Sequence, residues 1–223
     1  HPLEVGDLHL PPEVSHHARV TRLAAGDEVE VLDLAGAIGI GAFVGWDGKR
    51  AVVRLVSVSH DRGEPPGPLV VGLGVLHTQA FDWATEKLAE LGATRIVPLL
   101  CERVQGRQHV PRVERWQRLA EAAVAQCGRS RAPLISQPTP LAEFLSSASG
   151  SRIVADPSAG PAPSLAGATS LTVLVGPEGG LTPDELAAAL AAGFQRLALG
   201  PRILRAETAA LAATAVATAA AGW

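Results

Sequence analysis

Apolar and polar residues alternate differently in two parts of the chain. Up to about residue 60 the apolar positions fall in short β-branched runs: DEVEVLDL (27–34), AIGIGAFVGW (37–46) and RAVVRLVSV (50–58), with Gly and Asp at the turns. Strands at a spacing of about ten residues predict a small β-barrel. The stretch HDRGEPPGP (60–68) then collects two Gly and three Pro, a linker composition that divides the chain into residues 1–66 and 67–223. Beyond it, continuous apolar runs alternate with helical periodicity. LVVGLGVL (69–76), TRIVPLL (94–100), SRIVADP (151–157), SLTVLVGP (170–177) and RLALG (196–200) predict strands covered on both faces. Helices are predicted over DWATEKLAELG (82–92), VERWQRLAEAAVAQCG (113–128), TPDELAAALAAG (182–193) and 206–221. Val113, Trp116, Ala120, Ala123 and Cys127 are expected to share the buried face of the second of these. The fold class is α/β with a mainly parallel sheet. Residues 158–169, rich in Ala, Pro, Ser and Gly, read as a loop.

Composition narrows the functional classes. With 47% apolar residues in 223, the chain can bury a real core. Its net charge of −3 argues against a uniformly basic surface but leaves room for a local basic patch. The two cysteines, Cys101 and Cys127, form no CxxC and suit a reducing, cytoplasmic location. The seven histidines include no metal-spaced pair, so no metal is expected. No secretory signal is visible, and the apolar run 209–221 is too short to span a membrane. Ten of the 16 residues in 206–221 are Ala, so this last helix is expected inside the domain or in a subunit interface.

Three segments carry candidate chemistry. In VLVGPEGGLTPDEL (173–186) a buried strand runs into a glycine turn. Thr182 as N-cap, Pro183 at the first helical position and Glu185 then form a capping box. This is either a well-capped tight turn or a loop whose glycines let backbone approach a ligand beyond a strand's carboxyl end. Segment 102–131 concentrates Arg103, Arg107, Arg112, Arg115, Arg118, Arg129 and Arg131, seven of the 17 arginines, with His109. Arg115 and Arg118 read as a solvated helix face, the latter paired with Glu114; Arg129 and Arg131 suit phosphate contacts better. His16, His17, Arg19 and Arg22 form either a polar helix edge or a second phosphate-contacting surface.

Together VLVGPEGGLTPDEL, LALGPRILRAETAAL, EKLAELGATRIVPLLCERV and RWQRLAEAAVAQCGR resemble the signature segments of the RsmE family, and HHARVTRLAAGDEV resembles the start of its N-terminal domain. These are SPOUT-class 16S rRNA (uracil-N3) methyltransferases. The resemblance covers most of the chain in the family's order. It implies a PUA-like β-barrel over 1–66 and, over 67–223, a SPOUT methyltransferase domain with a deep trefoil knot. It further implies S-adenosylmethionine as cofactor, a homodimer, and as substrate one uridine of 16S rRNA near the decoding centre of the small ribosomal subunit. Carried over by position, Val175, Gly176 and Gly180 fall in the first cofactor loop, and Leu199, Gly200, Ile203 and Leu204 in the second. Arg205 and Glu207 lie at the mouth of the site as candidate catalytic residues. Arg103, Gln126 and Arg129, with His17, Arg19 and Arg22, are expected to face RNA. Where the family has a Gly-Asp-Lys stretch, this chain has LHTQAFDW (76–83), so contacts from that loop are not carried over. Thr21 stands where the family has a bulky apolar residue.

Uridine N3 must lose a proton as it accepts a methyl group. Arg205 is expected to orient the base and stabilise its anion. Glu207 either takes the proton or fixes Arg205. The competing structural role is an Arg205–Glu207 pair at the helix start. Two other functions fit the same residues: a non-catalytic RNA-binding ribosome-assembly factor that retains the cofactor loops, and a nucleotide-binding enzyme without an RNA substrate.

Overall fold

The computed structural model describes residues 2–104, 112–160 and 163–223. Arg107 and His109 therefore lie outside the described residues. The chain forms two compact units, His1–Glu64 with Gly128–Arg131, and Pro65–Cys127 with Ala132–Trp223.

In the first unit the three predicted strands are β2 (Glu28–Leu32), β3 (Ala37–Asp47) and β4 (Arg50–His60). A short strand, β1 (Gly6–His9), and a helix, α1 (Pro12–Val20), precede them. The antiparallel ladder runs β1-β4-β3-β2, so hydrogen bonding leaves β1 and β2 as edges instead of closing a ring. Register shifts at Ile40/Gly41 and Phe43/Gly45 curl the long β3–β4 pair. Phe43, Ala51, Val53 and Leu55 turn inward and pack with Leu10 and with Ala18 of α1. Ser15 fastens that helix: its hydroxyl donates to Leu10 O (3.1 Å) and accepts from Ala51 N–H (3.0 Å).

The four residues 128–131 complete this unit around one carboxylate. Glu64 Oε2 accepts from the Arg129 guanidinium at 2.7 Å. Its Oε1 accepts from the Ser130 N–H (3.0 Å), the Ser130 hydroxyl (3.3 Å) and the Arg131 N–H (2.8 Å). The Glu64 and Arg129 side chains are only 8% and 4% exposed.

In the second unit the strands are β5 (Leu69–Gly74), β6 (Arg95–Leu100), β7 (Leu134–Ile135), β8 (Thr139–Pro140), β9 (Ser151–Ala155), β10 (Leu171–Val175) and β11 (Gln195–Leu197). They form one sheet in the order β11-β9-β10-β5-β6-β7, with β8 also on β6. Every pairing is parallel. All five residues of the central strand β10 are buried, which is why it reads as an unbroken apolar run. The helices are α2 (Thr78–Glu90), α3 (Val113–Cys127), α4 (Leu141–Ser147), α5 (Pro183–Ala191) and α6 (Ala206–Ala221). Residues 158–160 and 163–169 contain no helix or strand.

Asp82 joins α2 to α3. It accepts from Arg115 Nε and Nη2 (3.0 and 2.9 Å) and from the Trp116 indole (3.0 Å). Arg115 is thus engaged with a neighbouring helix and is not simply a solvated residue. The buried stripe of α3 is Trp116, Ala120, Ala123 and Val124, and Cys127 is exposed, contrary to the expected face. Cys101, in contrast, is buried at the end of β6, and burial pushes its thiol up to about 12, with the nearby Glu185 carboxylate adding to the rise. At pH 8 the Cys101 thiolate is then far scarcer than that of an ordinary thiol. Iodoacetamide is expected to label folded protein once, at Cys127, and to reach Cys101 only after unfolding. Peptide mapping of both cysteines at equal early rates would contradict this burial.

Candidate functional site

Four parallel strands, β5, β9, β10 and β11, end on the same side of the second unit, and a cavity of about 880 Å³ lies beyond their carboxyl ends. Each strand delivers part of its wall: His77 follows β5, Asp156 and Pro157 follow β9, Val175–Leu181 close β10, and Leu199–Leu204 follow β11. A site beyond the carboxyl ends of parallel strands is where α/β folds place ligands, because loops there converge without interrupting the sheet.

The β10 loop turns sharply. A Cβ at Gly176 would lie 2.8 Å from Leu181 N, so only glycine permits this closure. The loop ends in the capping box expected from its sequence: Thr182 Oγ1 accepts from Glu185 N–H (3.2 Å), and Glu185 Oε2 accepts from Thr182 N–H (2.8 Å). Glu185 Oε1 also accepts from Glu102 N–H at 2.8 Å, which ties the loop after β6 to this turn. Arg103 lies exposed across the same loop and donates long hydrogen bonds to the Gly179 and Leu181 carbonyls (3.3 and 3.4 Å).

Val175, Gly176, Gly180, Leu199, Gly200, Ile203, Leu204, Arg205 and Glu207 all line this one cavity. Arg205 occupies the N-cap position of α6 in extended conformation (φ −62°, ψ 153°) and is exposed. Glu207 sits half-buried in the first turn, where the helix dipole favours a carboxylate. Among the described residues neither forms a salt bridge, so the Arg205–Glu207 pair that would have made them purely structural is not formed.

Sequence reasoning did not single out several other lining residues, among them Asp156, Glu178, His77, Gln79 and Trp83. Burial acts to raise the Asp156 carboxyl. Hydrogen bonds from Arg196 Nε (2.6 Å) and from the Ser158 N–H and hydroxyl (2.9 Å each) outweigh it and hold the group below the usual carboxylate range. Asp156 is therefore an anion in the cavity wall at neutral pH. The atypical segment 76–83 also reaches the cavity, because α2 starts at Thr78 and not at Asp82.

The candidate RNA-facing residues belong to both units. His17, Arg19 and Arg22 are exposed in the first unit, with the Arg19 guanidinium 4.6 Å over the Trp46 ring. Gln126 is exposed on α3. Arg129 differs from all of these, since its charge is buried on Glu64. Among the described residues no group of three or more His, Cys, Asp or Glu could hold a metal, and no helix is long and apolar enough to cross a membrane.

Residues 63–218 match the RNA methyltransferase domain family. The chain belongs to the RsmE family of RNA methyltransferases. It is 32% identical over 211 residues to a ribosomal RNA small subunit methyltransferase E of Synechocystis sp., spanning 88% of this chain and 67% of the relative. A protein of the same name in Bacillus subtilis is 27% identical over 235 residues, covering 89% and 84% of the two chains. Among solved structures, a ribosomal RNA small subunit methyltransferase E from Neisseria gonorrhoeae bound to S-adenosyl methionine superposes with a TM-score of 0.89 at 28% identity, covering 99% of this chain and 95% of the other. The parallel seven-stranded sheet with an N-terminal antiparallel sheet is thus the architecture of RsmE structures.

Proposed function

We propose that this RsmE-family chain transfers a methyl group from S-adenosylmethionine to N3 of a uridine in the 16S rRNA of the small ribosomal subunit. The observation that carries the proposal is the convergence of both glycine loops and the first turn of α6 on one cavity. The cavity suits the cofactor chemically. Val175, Leu181, Leu199 and Leu204 offer apolar walls to an adenosine, and the carboxylates of Asp156 and Glu207 suit a sulfonium and an ammonium. The names of the relatives and the cofactor bound in the Neisseria protein support the same reading.

When bound, S-adenosylmethionine supplies an electrophilic methyl group whose bonding pair stays with sulfur. Val175, Gly176, Gly180, Leu199, Gly200, Ile203 and Leu204 hold it. Arg205 orients the uracil and stabilises negative charge developing on its carbonyl oxygens as the N3 proton leaves. Glu207 either accepts that proton or orients Arg205 once the base is bound. The exposed His17, Arg19, Arg22, Arg103 and Gln126 contact RNA, whereas Arg129 serves to bury Glu64. The chain works as a homodimer, a reading supported by the outward side of α6, where Val216 is 41% exposed on a helix without a charged residue after Glu207.

Incubation with methyl-labelled S-adenosylmethionine and small subunits from cells lacking this activity tests the proposal. Label in 3-methyluridine of 16S rRNA is the expected result. Absence of transfer from folded protein that binds the cofactor would instead leave an RNA-binding assembly factor.

A further inference from the structure

The helix α2 starts without the usual local signals. Its N-cap is His77, whose side chain caps nothing, and its first turn holds no acidic residue. A helix beginning in this way leaves backbone N–H groups to be satisfied from elsewhere. Glu178, 101 residues away in the loop after β10, meets this need in part: its Oε1 accepts from the His77 N–H at 3.0 Å. The two segments also touch at a second point. A Cβ on Gly74 would lie 2.4 Å from Pro177 N, so the chain leaving β5 and the loop leaving β10 run against one another. Beyond this junction α2 turns Gln79, Ala80 and Trp83 toward the cavity, opposite the glycine loop that carries Glu178 itself.

We infer that Glu178 is a positioning residue, which caps α2 from the cofactor loop and so sets the spacing of the two cavity walls. The inference rests on the cofactor reading above. It assigns a role to the segment 76–83, which departs from the family pattern. A carboxylate at a helix N-terminus is favoured both as acceptor and by the helix dipole. The bond is therefore suited to hold the walls in register before ligand arrives.

Titration calorimetry with S-adenosylmethionine, on variants shown to be folded by circular dichroism, tests the inference without methyl transfer. Glu178→Ala is expected to weaken binding about 10-fold, equivalent to about 1.4 kcal/mol. Glu178→Gln keeps a carbonyl acceptor and is expected to stay within about 3-fold of wild type. His77 has φ −53°, a value proline accepts, so His77→Pro removes the N–H alone from the backbone and should match Glu178→Ala. His77→Ala loses the same ring but keeps the N–H, so it is the reference for His77→Pro, which should bind about 10-fold more weakly than it. Combining Glu178→Ala with His77→Pro should add nothing. If His77→Pro binds like wild type while Glu178→Ala does not, Glu178 touches the ligand directly and the positioning role is wrong. Wild-type affinity in both variants would overturn it equally. Should Glu178→Ala not fold, the two His77 variants decide alone. No binding by the wild-type protein would refute the cofactor reading, and the inference with it.

Discussion

Replacing Arg205 with alanine is expected to lower single-turnover methyl transfer about 100- to 1000-fold while leaving cofactor affinity nearly unchanged. The magnitude is that of removing one electrostatic donor aimed at developing charge. Three features support it. Arg205 stands at the cavity mouth, it is exposed, and among the described residues no salt bridge uses its charge. As the N-cap it fixes the start of α6 through its backbone, since no side-chain cap is made, so truncation of the side chain leaves the helix intact. Glu207→Gln separates the two roles open to that carboxylate. If it takes the N3 proton, the loss at neutral pH shrinks as pH rises and the uracil ionises unaided. If it only orients Arg205, the loss is small at every pH. Wild-type turnover in Arg205→Ala, or a collapse of cofactor binding with it, would remove Arg205 from the chemistry.

The largest stability effect is expected at Arg129. Truncation to alanine strands the Glu64 carboxylate, 8% exposed, without its cationic partner. Breaking a buried pair by deleting one member costs about 3–5 kcal/mol, because the survivor stays desolvated. Glu64→Gln with Arg129→Met should recover part of that loss, since a neutral pair carries less desolvation penalty. Calorimetric unfolding of the two variants against wild type measures this. A change below about 1 kcal/mol for Arg129→Ala would mean the pair is relaxed by water and would return Arg129 to the RNA-facing set.

What could be read from the sequence follows from how local the signals are. The glycine loop, its capping box and the start of α6 at Ala206 are encoded within a few residues, and the structure shows each of them. The buried strands of the parallel sheet announce themselves as apolar runs. The start of α2 could not be read, because the group that caps it comes from Glu178. The segment 76–83 therefore reads from sequence as a loop whose contacts are not carried over from the family. Helix α4 was missed for another reason. It is seven residues long, and it holds its place through Leu141, Phe144 and Leu145 packing into a core with Val97, Leu99, Val154 and Leu174. Arg129 was misplaced because an arginine behind a helix reads as exposed, and its partner is 65 residues away.

The participation of residues 128–131 in the first unit also bears on biosynthesis. Strands β1 to β4 have all been made by residue 60, yet the donors that satisfy Glu64 arrive only with Arg129, Ser130 and Arg131. A nascent chain cannot finish its amino-terminal unit until more than half of its length has left the ribosome, although domains generally fold in order during synthesis. A fragment cut at the linker would leave the ribosome with the same carboxylate unanswered.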